Sequence, residues 1–157
     1  MHVSASALAA CLKARRQRIA VAESSTGGLI AAALLAEPGA SAYLLGGGVI
    51  YTAQAREALL GITPAGMEGM RSASVAHALL LARRVREKHG ADWGLAETGA
   101  AGPTGNRYGD AAGHCCIAVV WPGVESVITL ETGRADRRAN MYHFAQGAFG
   151  LAIKMIG

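Results

Sequence analysis

The segment Glu23-Ser24-Ser25-Thr26-Gly27-Gly28 follows the apolar stretch Ile19–Ala22 and precedes the helix-forming Leu29–Ala36. Where a strand hands over to a helix, free backbone N–H groups and hydroxyls face one point. The helix N-terminus adds partial positive charge, so the turn suits an anion. Ser24, Thr26 and Gly27 are its candidate binding residues. A helix cap, with Ser24 or Ser25 accepting from a free N–H, accounts for the same residues, and no Gly-Lys-Ser/Thr of a Walker loop follows. A second candidate runs from Thr98 to Asn106. Gly99, Gly102 and Gly105 let a ligand approach the backbone there, and Pro103 stiffens the turn. Strand carboxyl ends form the ligand crevice of open α/β sheets. A plain glycine-rich loop is the competing account; that both loops follow strands favours a shared site.

A third group is Ser41, within Gly39-Ala40-Ser41-Ala42, with Tyr51 and Arg56 downstream. Ser41 alone reads as an ordinary helix or turn serine, and no Gly-x-Ser-x-Gly elbow surrounds it. His2 and His89 read as exposed, His77 and His143 as helical, and His114 as the start of a strand. No Ser–His–Asp set follows from their spacing.

These segments need a scaffold that brings them together. Residues 4–17 form a moderately amphipathic helix, and Ile19–Ala22 a short buried strand. Glu37-Pro38-Gly39 ends the helix after the first turn. Gly47–Thr52 is expected as a strand, Ala53–Leu60 as a short helix, and Val75–His89 as a long helix closed by Gly90. Asp92–Thr98 is the next strand, opening into the loop Gly99–Gly113. His114–Trp121 and Ser126–Glu131 flank Pro122-Gly123 as an antiparallel pair, and a last helix covers Asp136–Met155. Strands alternating with helices, then a hairpin and a closing helix, indicate an α/β layer with a mixed sheet.

At 157 residues, 52% hydrophobic and 17% charged, the chain has the size and composition of one globular domain, 1–157, and not of a disordered segment. Its longest apolar runs fall far short of the ~20 residues of a membrane span. The net charge of +4 permits attraction to phosphorylated metabolites or nucleic acid. The basic runs Lys13–Arg18 and Arg83–Lys88 read as solvated helix faces, and no aromatic-and-basic strand surface supports a nucleic-acid partner. Three cysteines give neither a disulfide framework nor metal spacing. The first ten residues lack the pattern of a secretory signal, so a cytoplasmic protein is expected. Small apolar-rich domains often bury surface against a copy of themselves, so a homo-oligomer is expected too.

Ala22-Glu23-Ser24-Ser25-Thr26-Gly27-Gly28, Pro38-Gly39-Ala40-Ser41-Ala42, Tyr51 and Thr98-Gly99-Ala100-Ala101-Gly102-Pro103 occur in the order and spacing of one family. The chain resembles the CinA C-terminal domain, the nicotinamide-nucleotide amidase family, from about Leu8 to Ile153. The amino-terminal domain of longer CinA proteins has no counterpart in these residues. The resemblance implies a three-layer α/β/α sandwich with a mixed, mostly parallel sheet. It implies hydrolysis of the carboxamide of nicotinamide mononucleotide to the acid, releasing ammonia, with no metal or other cofactor. The family nucleophile falls on Ser41, the activating tyrosine on Tyr51 and the lysine on Arg56. Substrate contacts fall on Ser24, Thr26, Gly27, Thr98 and Gly102, and the basic residue of the last helix on Arg138, with Arg134 one turn earlier.

The sequence departs from the family at Arg56. A desolvated lysine loses its proton near neutral pH, whereas arginine keeps its own at pKa above ~12 and cannot accept one from a serine. Arg56 is left to stabilise a Tyr51 phenolate or to hold a phosphate bidentately. Ser25 replaces the usual cysteine, Ala53 a common asparagine, and Glu97 a small or apolar residue; Asn106–Asp110 also differs. A catalytically silent nucleotide- or anion-binding domain is therefore the second reading.

Overall fold

Every strand of the computed structural model, which describes residues 1–157, belongs to one sheet of order β2-β1-β3-β4-β5. The strands are β1 (Ile19–Glu23), β2 (Leu44–Val49), β3 (Trp93–Ala100), β4 (His114–Trp121) and β5 (Val124–Glu131). β1 pairs in parallel with β2 and β3, while β4 is antiparallel to both β3 and β5, so β4 alone runs against the others. The helices are α1 (His2–Arg15), α2 (Leu29–Leu35), α3 (Ala53–Leu60), α4 (Val75–His89) and α5 (Arg137–Ile156).

Alternation along the strands explains the layers. Ile19, Val21, Leu95, Ile117 and Val119 face one way and join Leu8 and Leu12 of α1, Ile30 and Leu34 of α2, and Phe144 and Phe149 of α5 in one core. Ala20, Ala22, Ala96, Ala118 and Val120 face the other way, against Ala78, Leu81, Ala82 and Val85 of α4. The alanines let α4 settle onto the strands; a Cβ on Gly94 of β3 would lie 2.1 Å from the Ala82 carbonyl oxygen. The expected three-layer α/β/α sandwich is the observed fold.

Several boundaries move: β2 ends at Val49 instead of Thr52 and β5 begins at Val124 instead of Ser126, while two other shifts follow from specific contacts. β2 begins three residues before the expected Gly47, because Tyr43 is fully buried, donates its hydroxyl to the Leu34 carbonyl at 2.5 Å, and starts the strand from below. The glycines that follow hide the strand from propensity, yet Gly47 belongs there: a Cβ at that position would sit 1.9 Å from the Val21 carbonyl oxygen. β3 continues past Thr98 to pair Gly99 with Cys115 and Ala100 with His114. The parallel strands β2, β1 and β3 thus end at one edge, where the loops at Ser24, Ile50 and Ala101 gather with the N-terminus of α4. α3 springs from that edge on a Thr52 cap, whose hydroxyl accepts from the Ala55 N–H at 3.1 Å, and it buries only Leu60. No helix is long and apolar enough to cross a membrane.

Candidate functional site

The Ser24–Gly28 turn spends the N–H groups of Ser24, Thr26, Gly27 and Gly28 within the chain. Glu23, 1% exposed, accepts from the N–H groups of Gly28 at 3.0 Å, Ile30 at 3.0 Å and Ala31 at 2.8 Å. Glu97, fully buried on β3, accepts from the Ser24 N–H at 3.1 Å, the Thr26 N–H at 2.9 Å and the Ser25 hydroxyl. The Thr26 hydroxyl lies between the two carboxylates, 2.8 Å from Glu23 and 2.9 Å from Glu97. The turn's positive end is therefore neutralised from within the chain. Burial pushes the Glu97 carboxyl up, against the lowering effect of its hydrogen bonds to Ser25, Thr26 and Ser24. Thr26 is buried in this network, and Gly27 faces the Met141 side chain. Both hold the turn together and neither lines the main cavity, which corrects their expected role as ligand contacts. Ser24 keeps its place at the cavity.

That cavity, about 560 Å³, opens at the carboxyl edge of β1, β2 and β3. Ser24, Tyr51, Arg56, Ser72, His77 and Thr98 bring its polar groups, and its wall holds Arg56 and Arg107 but no carboxylate. Arg56 Nη1 lies 3.4 Å from His77 Nε2 and 3.4 Å from Ser72 Oγ, and His77 Nδ1 lies 3.0 Å from Thr98 Oγ1. Since a guanidinium only donates, His77 Nε2 must accept, and its proton sits on Nδ1, donating to Thr98. The Ala73 N–H also donates to Thr98 Oγ1, at 3.2 Å. Burial, helped by the Arg56 charge, lowers His77 to about 4, so the ring stays neutral. Arg56 makes no ion pair, and its buried Nε has no partner.

Tyr51 stands at the mouth, 58% exposed, and its hydroxyl accepts from Arg137 Nη2 at 3.1 Å. Arg137 Nη1 donates to the Gly102 carbonyl at 2.7 Å, and Ser25, Tyr51, Gly102 and Arg137 line a smaller adjoining cavity of about 200 Å³. Gly102 has φ +110, and a Cβ there would lie 2.7 Å from the Ala135 carbonyl oxygen. The arginine that reaches this edge is thus Arg137. Arg138 lines a second groove, with Leu29, Arg137, Met141 and Tyr142, and does not line the main cavity; Arg134 precedes the Asp136 cap and meets His143 on the surface. The expected Arg134/Arg138 pair on one helical face is corrected accordingly.

The loops over the cavity are pinned by charge. Arg71 Nη2 donates to Asp110 at 3.0 Å, and the Arg71 hydrogen bond holds the Asp110 carboxyl below its usual range. His114 meets acceptors with both ring nitrogens, Nδ1 toward Glu131 and Nε2 toward the Ala73 carbonyl at 2.9 Å. Burial works against its charge, but Glu131, Ala73 and Asp110 outweigh that and raise it. Ala73, at φ 54, is held from both sides, by Thr98 and by His114.

Ser41 lies elsewhere. It is exposed on the 3-10 turn Ala40–Ala42 that enters β2, beside the end of α1, where Lys13 Nζ donates to the Pro38 carbonyl at 3.2 Å. β1 and β2, of 5 and 6 residues, separate it from the cavity by roughly 15–20 Å at about 3.3 Å per residue. Within one copy of the chain Ser41 does not meet Tyr51 or Arg56, which corrects the expected trio. Sequence reasoning missed Arg137, His77 and Ser72 as site residues; the Asp136 cap signal that starts α5 at Arg137 was the one clue available for the first.

The family model of the CinA C-terminal domain matches residues 2–156. A CinA-like protein of Synechocystis is 41% identical over 135 residues, covering 85% of this chain and 32% of that protein. One from Anaeromyxobacter is 40% identical over 145 residues, covering 91% of this chain and 36% of the relative. The chain thus spans about a third of the length of these relatives. Among solved structures, a CinA superfamily protein of Klebsiella pneumoniae superposes with a TM-score of 0.92 at 26% identity, covering 99% of this chain and 96% of that one. The competence-damaged protein (CinA) superfamily protein of Escherichia coli gives a TM-score of 0.90 at 28% identity, covering 97% and 88%. From motifs, topology and these likenesses together, the chain belongs to the CinA C-terminal domain family.

Proposed function

We propose that this chain hydrolyses the carboxamide of a phosphorylated pyridine nucleotide of the nicotinamide mononucleotide type, to the acid and ammonia. The observation that carries the reading is the cavity itself: hydroxyls from Ser24, Tyr51 and Thr98 with the Arg56 cation and no carboxylate, in about 560 Å³. That volume lies within the range of ligand sites, about 300–1,000 Å³. The serine attacks the carboxamide carbon, its proton passes to a base, the C–N bond breaks with a proton delivered to the departing ammonia, and water then releases the acid. Arg56 cannot take the proton. The role falls to Tyr51, whose hydroxyl oxygen accepts from Arg137 Nη2 at 3.1 Å. Of the two serines lining this cavity within one chain, Ser72 meets Arg56 at 3.4 Å, and the nucleophile's role is given to Ser24 of the first turn, in place of Ser41.

Ammonia release from nicotinamide mononucleotide, followed between pH 6 and 10, tests this. Ser24→Ala and Tyr51→Phe are expected to lose at least about 100-fold in kcat, the contribution of general acid–base groups being roughly 10²–10⁴, while Ser41→Ala stays near wild type. Loss on Ser41→Ala with Ser24→Ala active overturns the assignment. The non-basic Arg56 favours one alternative, a binding domain without turnover. Wild type that binds the nucleotide and releases no ammonia establishes it.

A further inference from the structure

Resting on the reading of a phosphorylated substrate, we infer that the corner formed by Arg56, His77 and Thr98 is the subsite for the substrate's phosphate monoester. The assignment follows from counting donors and acceptors. Arg56 carries five N–H donors, and the partners recorded for them, Ser72 and His77, both lie at the long distance of 3.4 Å from one nitrogen, Nη1. No carboxylate lines the cavity to neutralise the charge. A half-buried guanidinium without a counter-ion is costly unless an anion joins it.

The neighbouring groups are arranged so that none can supply that anion. His77 spends its only lone pair on Arg56 and turns its Nδ1–H to Thr98. Thr98 Oγ1 already receives two hydrogen bonds, from His77 and from the Ala73 N–H, so both its lone pairs are occupied. Its own O–H has no acceptor in the chain and is left to donate into the cavity. His77 is thus a relay: it holds the hydroxyl of Thr98 in one sense by passing on the polarity of the arginine. The corner contributes a charge and an oriented O–H, with nothing to repel an anion, which suits a tetrahedral dianion better than a neutral amide. The carboxamide end then lies toward Ser24 and Tyr51, across the cavity. Arg56 serves as an anchor, where its planar fork is of use, and the proton-accepting work is left to another group.

Calorimetric titration of the whole chain with ribose 5-phosphate and with inorganic phosphate at low salt tests the subsite without requiring turnover. Wild type is expected to bind both. Arg56→Gln should weaken both about 10–100-fold, the worth of a charge-assisted hydrogen bond of ~1.5–3 kcal/mol. Arg56→Lys, which keeps the charge and loses the fork, should fall between them, and Thr98→Val should weaken binding several-fold. Circular dichroism melting checks that each variant folds, with Arg56→Lys as the variant least disturbed. Affinity unchanged in folded Arg56→Gln, or no binding of either probe by wild type, overturns the subsite. Ammonia release that survives with phosphate binding unaffected by Arg56→Gln removes the subsite alone. Phosphate binding that responds to Arg56 without any ammonia release removes the hydrolysis alone.

Discussion

Replacing Glu97 by alanine should cost about 4 kcal/mol, and replacing it by glutamine less than about 1. The difference is worked out oxygen by oxygen. Oε2 accepts from the Ser24 N–H, the Thr26 N–H and the Thr26 hydroxyl. Oε1 meets the Ser25 hydroxyl, with the Cys115 thiol at 3.7 Å. In Glu97→Ala the two backbone N–H groups lose their only acceptor, at roughly 1–3 kcal/mol each. A void left by the carboxyl arm adds to this. The Thr26 hydroxyl keeps Glu23 and the Ser25 hydroxyl is free to rotate, so neither enters the sum. In Glu97→Gln the amide oxygen takes the Oε2 position and keeps all three donors. Its NH₂ faces Ser25, whose hydroxyl turns to accept. The neutral amide also escapes the burial that already pushes the Glu97 carboxyl up. Urea unfolding at pH 7 measures both. Glutamine as costly as alanine would show that the charge, and not the set of acceptors, holds the turn; alanine as mild as glutamine would show that the network carries no stability.

Two further outcomes follow from the packing and from His77. His77 is lowered to about 4 in the folded chain against 6.5 unfolded. The unfolded state binds the extra proton first, so stability is full above pH 6.5 and falls as pH drops toward 4, by about 3 kcal/mol at ~1.4 kcal/mol per pH unit. Urea unfolding of His77→Gln should lack that part of the acid limb, and an identical limb in both proteins would refute the assignment. Gly47→Ala should lower the melting temperature by about 10 °C, the equivalent of ~3 kcal/mol or more at this size, since its Cβ meets the Val21 backbone. Gly48→Ala meets only the flexible end of Leu59, at 2.8 Å, and should move the midpoint by no more than about 3 °C. Equal shifts would show that the two strands yield to the intruding methyl.

How far the sequence spoke depended on the range of the interaction. The alternation of strands and helices and the final hairpin are local, and the layers follow from them. The occupant of the Ser24–Gly28 turn was hidden because Glu97 lies some seventy residues downstream and becomes a neighbour only when β1 and β3 pair. The last helix was legible in extent but not in phase. Each residue turns the helix by about 100°, so beginning at Arg137 after the Asp136 cap is what sends Arg137, and not Arg138, to Tyr51 and Gly102. Ser41 was placed by its motif, and a motif fixes distance along the chain but not which end of a parallel strand the residue occupies. His77 read as one more helical histidine because its significance lies in being wedged between a fixed cation and a hydroxyl.

The thinly buried α3 has a consequence for affinity. The guanidinium rides on a helix fastened to the body mainly through Leu60 at its far end. Elements so lightly secured open more readily than the core. An anion held by Arg56, as proposed above, would also tie that helix to the body, and part of the attraction would be consumed in stilling it. Grip and release are then governed by how firmly the helix is already seated, so a substitution on its outer face, touching nothing in the cavity, could retune both.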